Sequence, residues 1–296
     1  MEQTLNTLQK QYRRLRMSVF GFIPLLALAV ACAFFDRRLT LALLAAAVAY
    51  QLLWLRPLQN RYTAAAARAN LLETVGRRLG TEELFEKSGG GIAEADITAA
   101  ELIPHDAGPG GCLLRQGIQG RLGGYEAAVC DATLGESFQL VKNGKRRVHF
   151  TSGCWVRITL PADTGADWRL LHKDAVPTPI RQEFYAARPL LDPADPPAGC
   201  PEGFLYYKGP GPAPGPRTLA QLAKLAAYTP GQPALSLQGS TLTVFIRGRF
   251  VSRAVSLKGA PTAEFLGFDP LPELDYLHKL AGAVQLDAQS GKAAES

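Results

Sequence analysis

Two long apolar runs, parted by the charged break Asp36-Arg37-Arg38, constrain this chain more than any other feature. Met17 to Phe35 (MSVFGFIPLLALAVACAFF) contains no Asp, Glu, Lys or Arg. As a helix it would cover roughly 28 Å, close to the ~30 Å hydrocarbon core of a bilayer. Leu39 to Leu55 (LTLALLAAAVAYQLLWL) is shorter and ends with Tyr50 and Trp54 close to Arg56, an interfacial aromatic anchor. A soluble amphipathic helix of either length would carry a polar stripe, and neither run has one. The sequence therefore predicts a transmembrane hairpin over 17–58, with spans at 17–35 and 39–55. Three alternatives stay open: a cleaved signal ending near Ala29-Val30-Ala31-Cys32, a re-entrant hairpin dipping into one leaflet, and a soluble pair of core helices.

Charge follows the same division. Lys10, Arg13, Arg14, Arg16, Arg37, Arg38 and Arg56 stand against only Glu2 and Asp36 in the first 56 residues, while the rest of the chain is nearly balanced. Most of the formal net charge of +6 thus flanks the apolar runs, where it orients a hairpin or attracts anionic lipid. No basic face marks the remainder, which argues against nucleic acid as a partner. More basic residues flank the outer ends than occupy the turn. The expectation is a multi-pass membrane protein with both termini cytoplasmic and the bilayer as its first partner.

Beyond the basic N-terminus 1–16 and the hairpin, an alanine- and leucine-rich stretch over 59–88 predicts a helical stalk. Gly76 and Gly80 weaken it, Thr81 offers a new helix start, and Ser88-Gly89-Gly90-Gly91 reads as a flexible break. Residues 89–288 predict a cytoplasmic α+β domain, a mainly antiparallel sheet with peripheral helices. Leu113–Gln119 and Leu122–Asp131 read as paired strands. FQLVKNGKRRVHF reads as a hairpin around Asn143-Gly144, and Trp155–Leu160 and the stretch around 241–246 alternate as strands do. The Pro/Gly-rich stretch 189–216 reads as a loop or spacer enclosing a short strand at 204–207, with a helix at 218–228 after it. A closing helix starts with Asp269 as cap and Pro270 at its first position, its apolar stripe being Leu274, Leu277, Ala281 and Val284. Residues 289–296 read as a disordered tail.

The chemistry-bearing residues are scattered. His105, His149, His172 and His278 lie far apart, and no HExxH, GxSxG or Walker loop is present. Cys32, Cys112, Cys130, Cys154 and Cys200 form no CxxC pair and read as small buried side chains. Cys154 and His149 would project from opposite faces of one strand, which excludes them as a thiolate pair. No cofactor or metal set, and no catalytic constellation, is legible. Lys142, Lys145, Arg146 and Arg147 form the basic cluster of the soluble part, readable as a solvated hairpin tip or as a lipid contact.

The order of the parts resembles a bacterial family of two-span membrane proteins catalogued as domain of unknown function 3137. Two spans precede a stalk ending in EADITAAELIP. A glycine-bearing strand pair (GIQGRLGGYEAAVCDATL) and a hairpin reaching FTSGCWVRITLP follow, then STLTVFIRGRF and the helix PLPELDYLHKLAGAVQLD. The resemblance implies topology, fold and a place in a bacterial cytoplasmic (inner) membrane, and brings no catalytic or ligand residues; the insert around 192–216 departs from it. The functional expectation is a non-enzymatic, membrane-tethered module that binds a protein or lipid partner. The alternatives are a membrane enzyme built from His105, Asp106, Asp131 and His149, and a subunit packed through the small face of Ala45, Ala46, Ala47 and Ala49.

Overall fold

The computed structural model describes residues 2–108, 110–139, 146–175, 192–229, 232–248 and 260–295. It divides the chain into two compact units. The first comprises residues up to 74 together with the described part of 253–269, and the second holds the rest.

In the first unit, α1 (Glu2–Cys32) runs without a break from the basic N-terminus into the first apolar run. The expected separate segment 1–16 is therefore the opening of one helix, and α1 accommodates Pro24 in its interior. The chain turns over Ala33–Phe35, and Asp36 caps α2 (Arg37–Tyr50) by accepting from the backbone N–H groups of Arg38 and Leu39. Arg37 and Arg38, read from sequence as part of the turn, are the first residues of that helix. A π-turn over Gln51–Leu55 leads into α3 (Arg56–Leu71), and a second π-turn over Leu72–Gly76 leads into α4 (Arg77–Leu79). Both long helices are long and apolar enough to cross a membrane. Little of either apolar window is buried, 6% and 11%, which is unlike the core helices of a soluble protein.

Small residues bring the hairpin arms together. Ala29 and Ala47 are buried, Tyr50 donates to the Ser18 carbonyl at 3.2 Å, and Phe22 stacks on Tyr50 at 6.1 Å. Ala47 is thus used within the hairpin, while Ala45, Ala46 and Ala49 stay exposed. Outside the apolar runs, Leu8 of α1 packs with Tyr62 and Ala66 of α3 and with Leu266 of a short helix α7 (Ala263–Gly267). Asn70, fully buried, donates to the carbonyls of Phe265, Leu266 and Phe268, the shortest contact being 2.7 Å. The stalk is therefore a packed helix.

The second unit is α+β. Among the described residues, eight antiparallel strands form one sheet in the order β1-β2-β3-β8-β7-β4-β6-β5. They are β1 (Cys112–Leu122), β2 (Tyr125–Gln139), β3 (Arg146–Thr159), β4 (Asp167–His172), β5 (Asp192–Ala194), β6 (Phe204–Lys208), β7 (Ala234–Gln238) and β8 (Thr241–Arg247). The β1–β2 turn falls at Gly123-Gly124, both with positive φ, and not near Gly120 as the sequence suggested. The second hairpin has its arms at the expected places, with Gln139 opposite Arg146; its Asn143-Gly144 tip lies outside the described residues. The Pro/Gly-rich stretch contributes edge strand β5 as well as β6, so it is part of the sheet and not merely a spacer.

Several local expectations give way. Helix α4 ends at Gly80, whose φ of 66° only glycine adopts readily, and no helix starts at Thr81. EADITAAELIP is not the end of the stalk: Glu94–Ala100 forms a separate helix, α5. Residues 88–91 are no flexible break. Gly117 of β1 meets Gly89 and Gly90 so closely that a Cβ there would lie 2.1 Å from their backbone atoms. Phe85 and Gly117 exchange backbone hydrogen bonds of 2.8 and 2.9 Å, and a bulge sits at Gln116. This outer edge of β1 is thereby blocked to further pairing. The closing helix α8 (Leu274–Glu295) begins beyond Asp269 and Pro270, because Leu271–Glu273 form a turn first. It then runs to Glu295, through the described part of the stretch expected as a tail.

The sheet is covered on both faces. One face carries Cys130, Trp155, Phe245 and Ala234, packed under Ile97, Leu102 and Ile103 of α5 and the loop after it. The other is covered by α6 (Pro216–Tyr228) and α8, which pack on each other. The α8 stripe Leu274, Leu277, Ala281 and Val284 is buried as expected. Burial of Trp155 beside Val156 explains why β3 does not alternate wet and dry.

Candidate binding groove

A groove of about 450 Å³ opens in the second unit between the proline-rich loop and the last turns of α8. Its floor is Trp168 of β4 and Leu237 of β7, neighbours in register on adjacent strands. Pro212, Pro214 and Pro216 form one wall; Val284 and Ala288 of α8 form the other. The loop is tied to the sheet by two backbone bonds of 2.8 Å, Asp167 N–H to the Pro210 carbonyl and Gly209 N–H to the Asp167 carbonyl.

One carboxylate closes the end of the groove. Helix α6 has no capping side chain of its own, since its cap is Gly215. Asp287 supplies the cap from α8: its Oδ2 accepts from the Thr218 backbone N–H and from the Thr218 hydroxyl, both at 2.8 Å. An anion at a helix N-terminus also complements the partial positive charge there. Gly215 is needed at this point, because a Cβ would lie 2.4 Å from the Asp287 carboxyl carbon. Arg217 donates from Nη1 to the Leu286 carbonyl at 3.4 Å and to Ser290 Oγ at 3.1 Å, which holds the last turns of α8 in place. The groove thus offers an aromatic floor, rigid proline walls and an exposed guanidinium at its rim. That surface suits capture of an apolar segment carrying a polar or acidic group.

The opposite face of the sheet holds a buried charge cluster. Arg169 of β4, 3% exposed, pairs with Asp167 and lies 3.8 Å from Glu101, while Arg157 pairs with Asp96 of α5 at 2.9 Å. Gln238 donates to the Ala99 carbonyl at 2.8 Å. These contacts fasten α5 to the sheet.

The residues considered for catalysis do not form one site. His105 engages both ring nitrogens, with Thr98 Oγ1 at 3.2 Å and the Ile103 carbonyl at 3.3 Å. Asp106 instead accepts from the Ser137 backbone N–H at 2.9 Å. Asp131 alternates with Cys130 on β2 and so projects away from the α5 face, and His149 stands on β3 opposite Glu136. Among the described residues, no group of three His, Cys, Asp or Glu side chains could hold a metal. No disulfide joins the described cysteines; Cys130 and Cys154 are buried, the others partly exposed. Burial, then the nearby Glu94 charge, pushes the Cys112 thiol up to about 11.

Of the basic cluster, Lys142 and Lys145 lie outside the described residues, and Arg146 and Arg147 open β3 opposite Gln139 and Phe138. Directly after them Val148 and Phe150 are exposed, at 52% and 59%. Sequence reasoning missed this apolar pair, and it missed the groove as well. Trp168 and Leu237 belong to DWRLLH and ALSLQ, whose alternation was the available signal.

No protein-family model, curated protein or solved structure matches this chain.

Proposed function

We propose that the chain is a membrane-tethered binding module whose folded unit captures a segment of a protein partner in the groove beside the proline-rich loop. The observation that carries this reading is the groove itself. It is concave, mainly apolar, and held open by three prolines and the Asp287 cap. β-Strand addition along the outer edge of β1 is disfavoured by the Phe85 bridge, and β5 at the other edge has three residues, one of them Pro193. The apolar hairpin is the tether, inserted in a bacterial inner membrane with both termini cytoplasmic. The resemblance to the two-span family belongs to the same reading.

Two experiments test it. A photo-crosslinking residue at Ala213 in the full chain should trap a protein in native membranes, and groove-filling Ala288→Trp should abolish the adduct. An adduct that survives Ala288→Trp refutes the groove. For topology, a reporter after Ser296 should be active only in the cytoplasm, and a cysteine placed at Phe35 in a Cys32→Ser background should label from outside.

A second reading rests on exposed Val148 and Phe150 beside the basic run, a combination of apolar and cationic groups suited to an anionic leaflet. Spin-labelled lipid in a nanodisc should then quench a fluorophore at residue 148. An unquenched fluorophore would remove this reading.

A further inference from the structure

A second cavity, of about 360 Å³, lies wholly within the first unit, between α1 and the helix that contains the π-turn. Val19, Phe22 and Leu55 line it with apolar surface, and Arg16, Gln51 and Gln59 contribute polar groups. Leu15 and Tyr12 complete the α1 side. The lining of α1 from Tyr12 to Phe22 would extend roughly 15 Å along the helix. Its polar end coincides with the N-terminal border of the first apolar run, where Lys10, Arg13 and Arg14 also cluster.

Two features set this cavity apart from an ordinary gap between helices. Gln51 sits inside an otherwise apolar run, where a polar side chain is costly unless something satisfies it. It is also the first residue of the π-turn, and its carbonyl accepts from the Arg56 N–H five residues on. A π-turn inserts an extra residue and turns the following side chains off the regular helical stripe, an arrangement common at functional sites. Arg16, exposed, lies over the Phe20 ring at 5.5 Å and lines the cavity from α1. The chemistry is amphiphilic along its length: Arg16 and Gln59 stand toward the basic end of α1, Val19, Phe22 and Leu55 give an aliphatic and aromatic slot, and Gln51 lies next to Tyr50 at the Phe22 end. That gradient matches a phospholipid with a negative headgroup.

We propose that this cavity holds one anionic phospholipid, its phosphate on Arg16 with Gln59 as a further donor, and an acyl chain against Val19, Phe22 and Leu55. The site rests on the hairpin being membrane-inserted, and it selects for lipid charge. A basic N-terminus would by itself attract anionic lipid diffusely. A lined slot instead retains a single molecule and depends on Arg16 more than on its exposed neighbours.

The test uses the full chain extracted from membranes and examined by native mass spectrometry with added phosphatidylglycerol or phosphatidylethanolamine. One phosphatidylglycerol should stay bound where phosphatidylethanolamine does not. Arg16→Gln should lower its retention by about fivefold or more, the factor for one cation near an anionic lipid, whereas Arg13→Gln should leave it nearly unchanged. Val19→Trp, which fills the slot and keeps the cation, should displace the lipid, so the proposal does not hang on one variant; unchanged melting shows that each variant folds. Equal retention of both lipids, equal loss in the Arg16 and Arg13 variants, competition by inorganic phosphate, or a lipid-free dimer closing the slot would each overturn the site. A chain found soluble without detergent would overturn the membrane reading beneath it, an outcome distinct from a membrane chain with no lipid preference.

Discussion

Replacing Asp287 by alanine should loosen the groove and helix α6 together. In the folded chain the Asp287 carboxylate is the only side-chain cap described for α6, taking both the Thr218 N–H and the Thr218 hydroxyl. Loss of a helix N-cap costs about 1 kcal/mol. Thr218 is 1% exposed, so its hydroxyl would also be left without a partner in a dry site, which costs about 1–3 kcal/mol more. The sum is about 2–4 kcal/mol. Hydrogen exchange followed by mass spectrometry reads it directly, because amides of residues 216–228 that open through release of α6 should exchange roughly thirty to several hundred times faster. Asp287→Asn keeps one acceptor oxygen and should lie between wild type and alanine.

A second substitution makes the reasoning strict. Gly215→Ala puts a methyl group where the Asp287 carboxyl now sits, so it should break the same interaction from the other side. Two changes that remove one shared contact are not additive. The double variant should therefore exchange little faster than the worse single one. If exchange in 216–228 is unchanged in Asp287→Ala, or if the two effects simply add, the cap is not what holds α6 in place.

Other consequences are more local. Leu277→Asp puts a charge on the fully buried stripe of α8 and should cost at least about 4 kcal/mol, seen as loss of the cooperative melt; an unchanged melt would show that the stripe is not core. Asn70→Ala strips the donor from three carbonyls around α7 and should cost about 1–3 kcal/mol, with faster proteolysis within 260–268; equal cleavage rates would refute it. Because the Cys112 thiol is pushed up to about 11, its alkylation should be slow at pH 8 and rise about tenfold per pH unit until near 11. The folded chain holds that proton above pH 9 while the unfolded chain releases it, so this group lowers stability as pH rises through that window. A labelling rate that levels off near pH 9 would contradict the burial.

Much of the architecture is legible in the sequence because it rests on local signals. The apolar runs have the length and composition of spanning helices, β8 alternates, and Leu274, Leu277, Ala281 and Val284 repeat at helical spacing. Asn143-Gly144 marked a hairpin whose arms the strand register bears out. The errors fall where long-range contact overrides a local preference. Gly76 reads as a helix breaker, yet a π-turn carries the helix past it to Leu79. The glycines at 89–91 read as slack, yet they are small so that two backbones can meet at Gly117. Residues 289–295 read as a tail because they are short and polar, and Arg217 and Asp287 fasten the turns that lead into them.

DWRLLH shows why the groove stayed hidden. Asp167 and Arg169 alternate with Trp168 and Leu170, a pattern that in isolation describes a strand with one wet face. In the fold both faces are covered. Arg169 is buried because Asp167 and Glu101 supply the opposing charge, and Glu101 arrives from a segment 68 positions earlier. The groove is equally non-local. The sheet order sets β4 between β7 and β6, so its floor joins Trp168 to Leu237. Its walls come from the loop before α6 and from the end of α8. No window of ten or fifteen residues contains two of those parts, so no short motif could announce the site. What the sequence does carry is the means of assembling it: a glycine at 215 small enough to admit a carboxylate, and a carboxylate at 287 on the helix that brings it there.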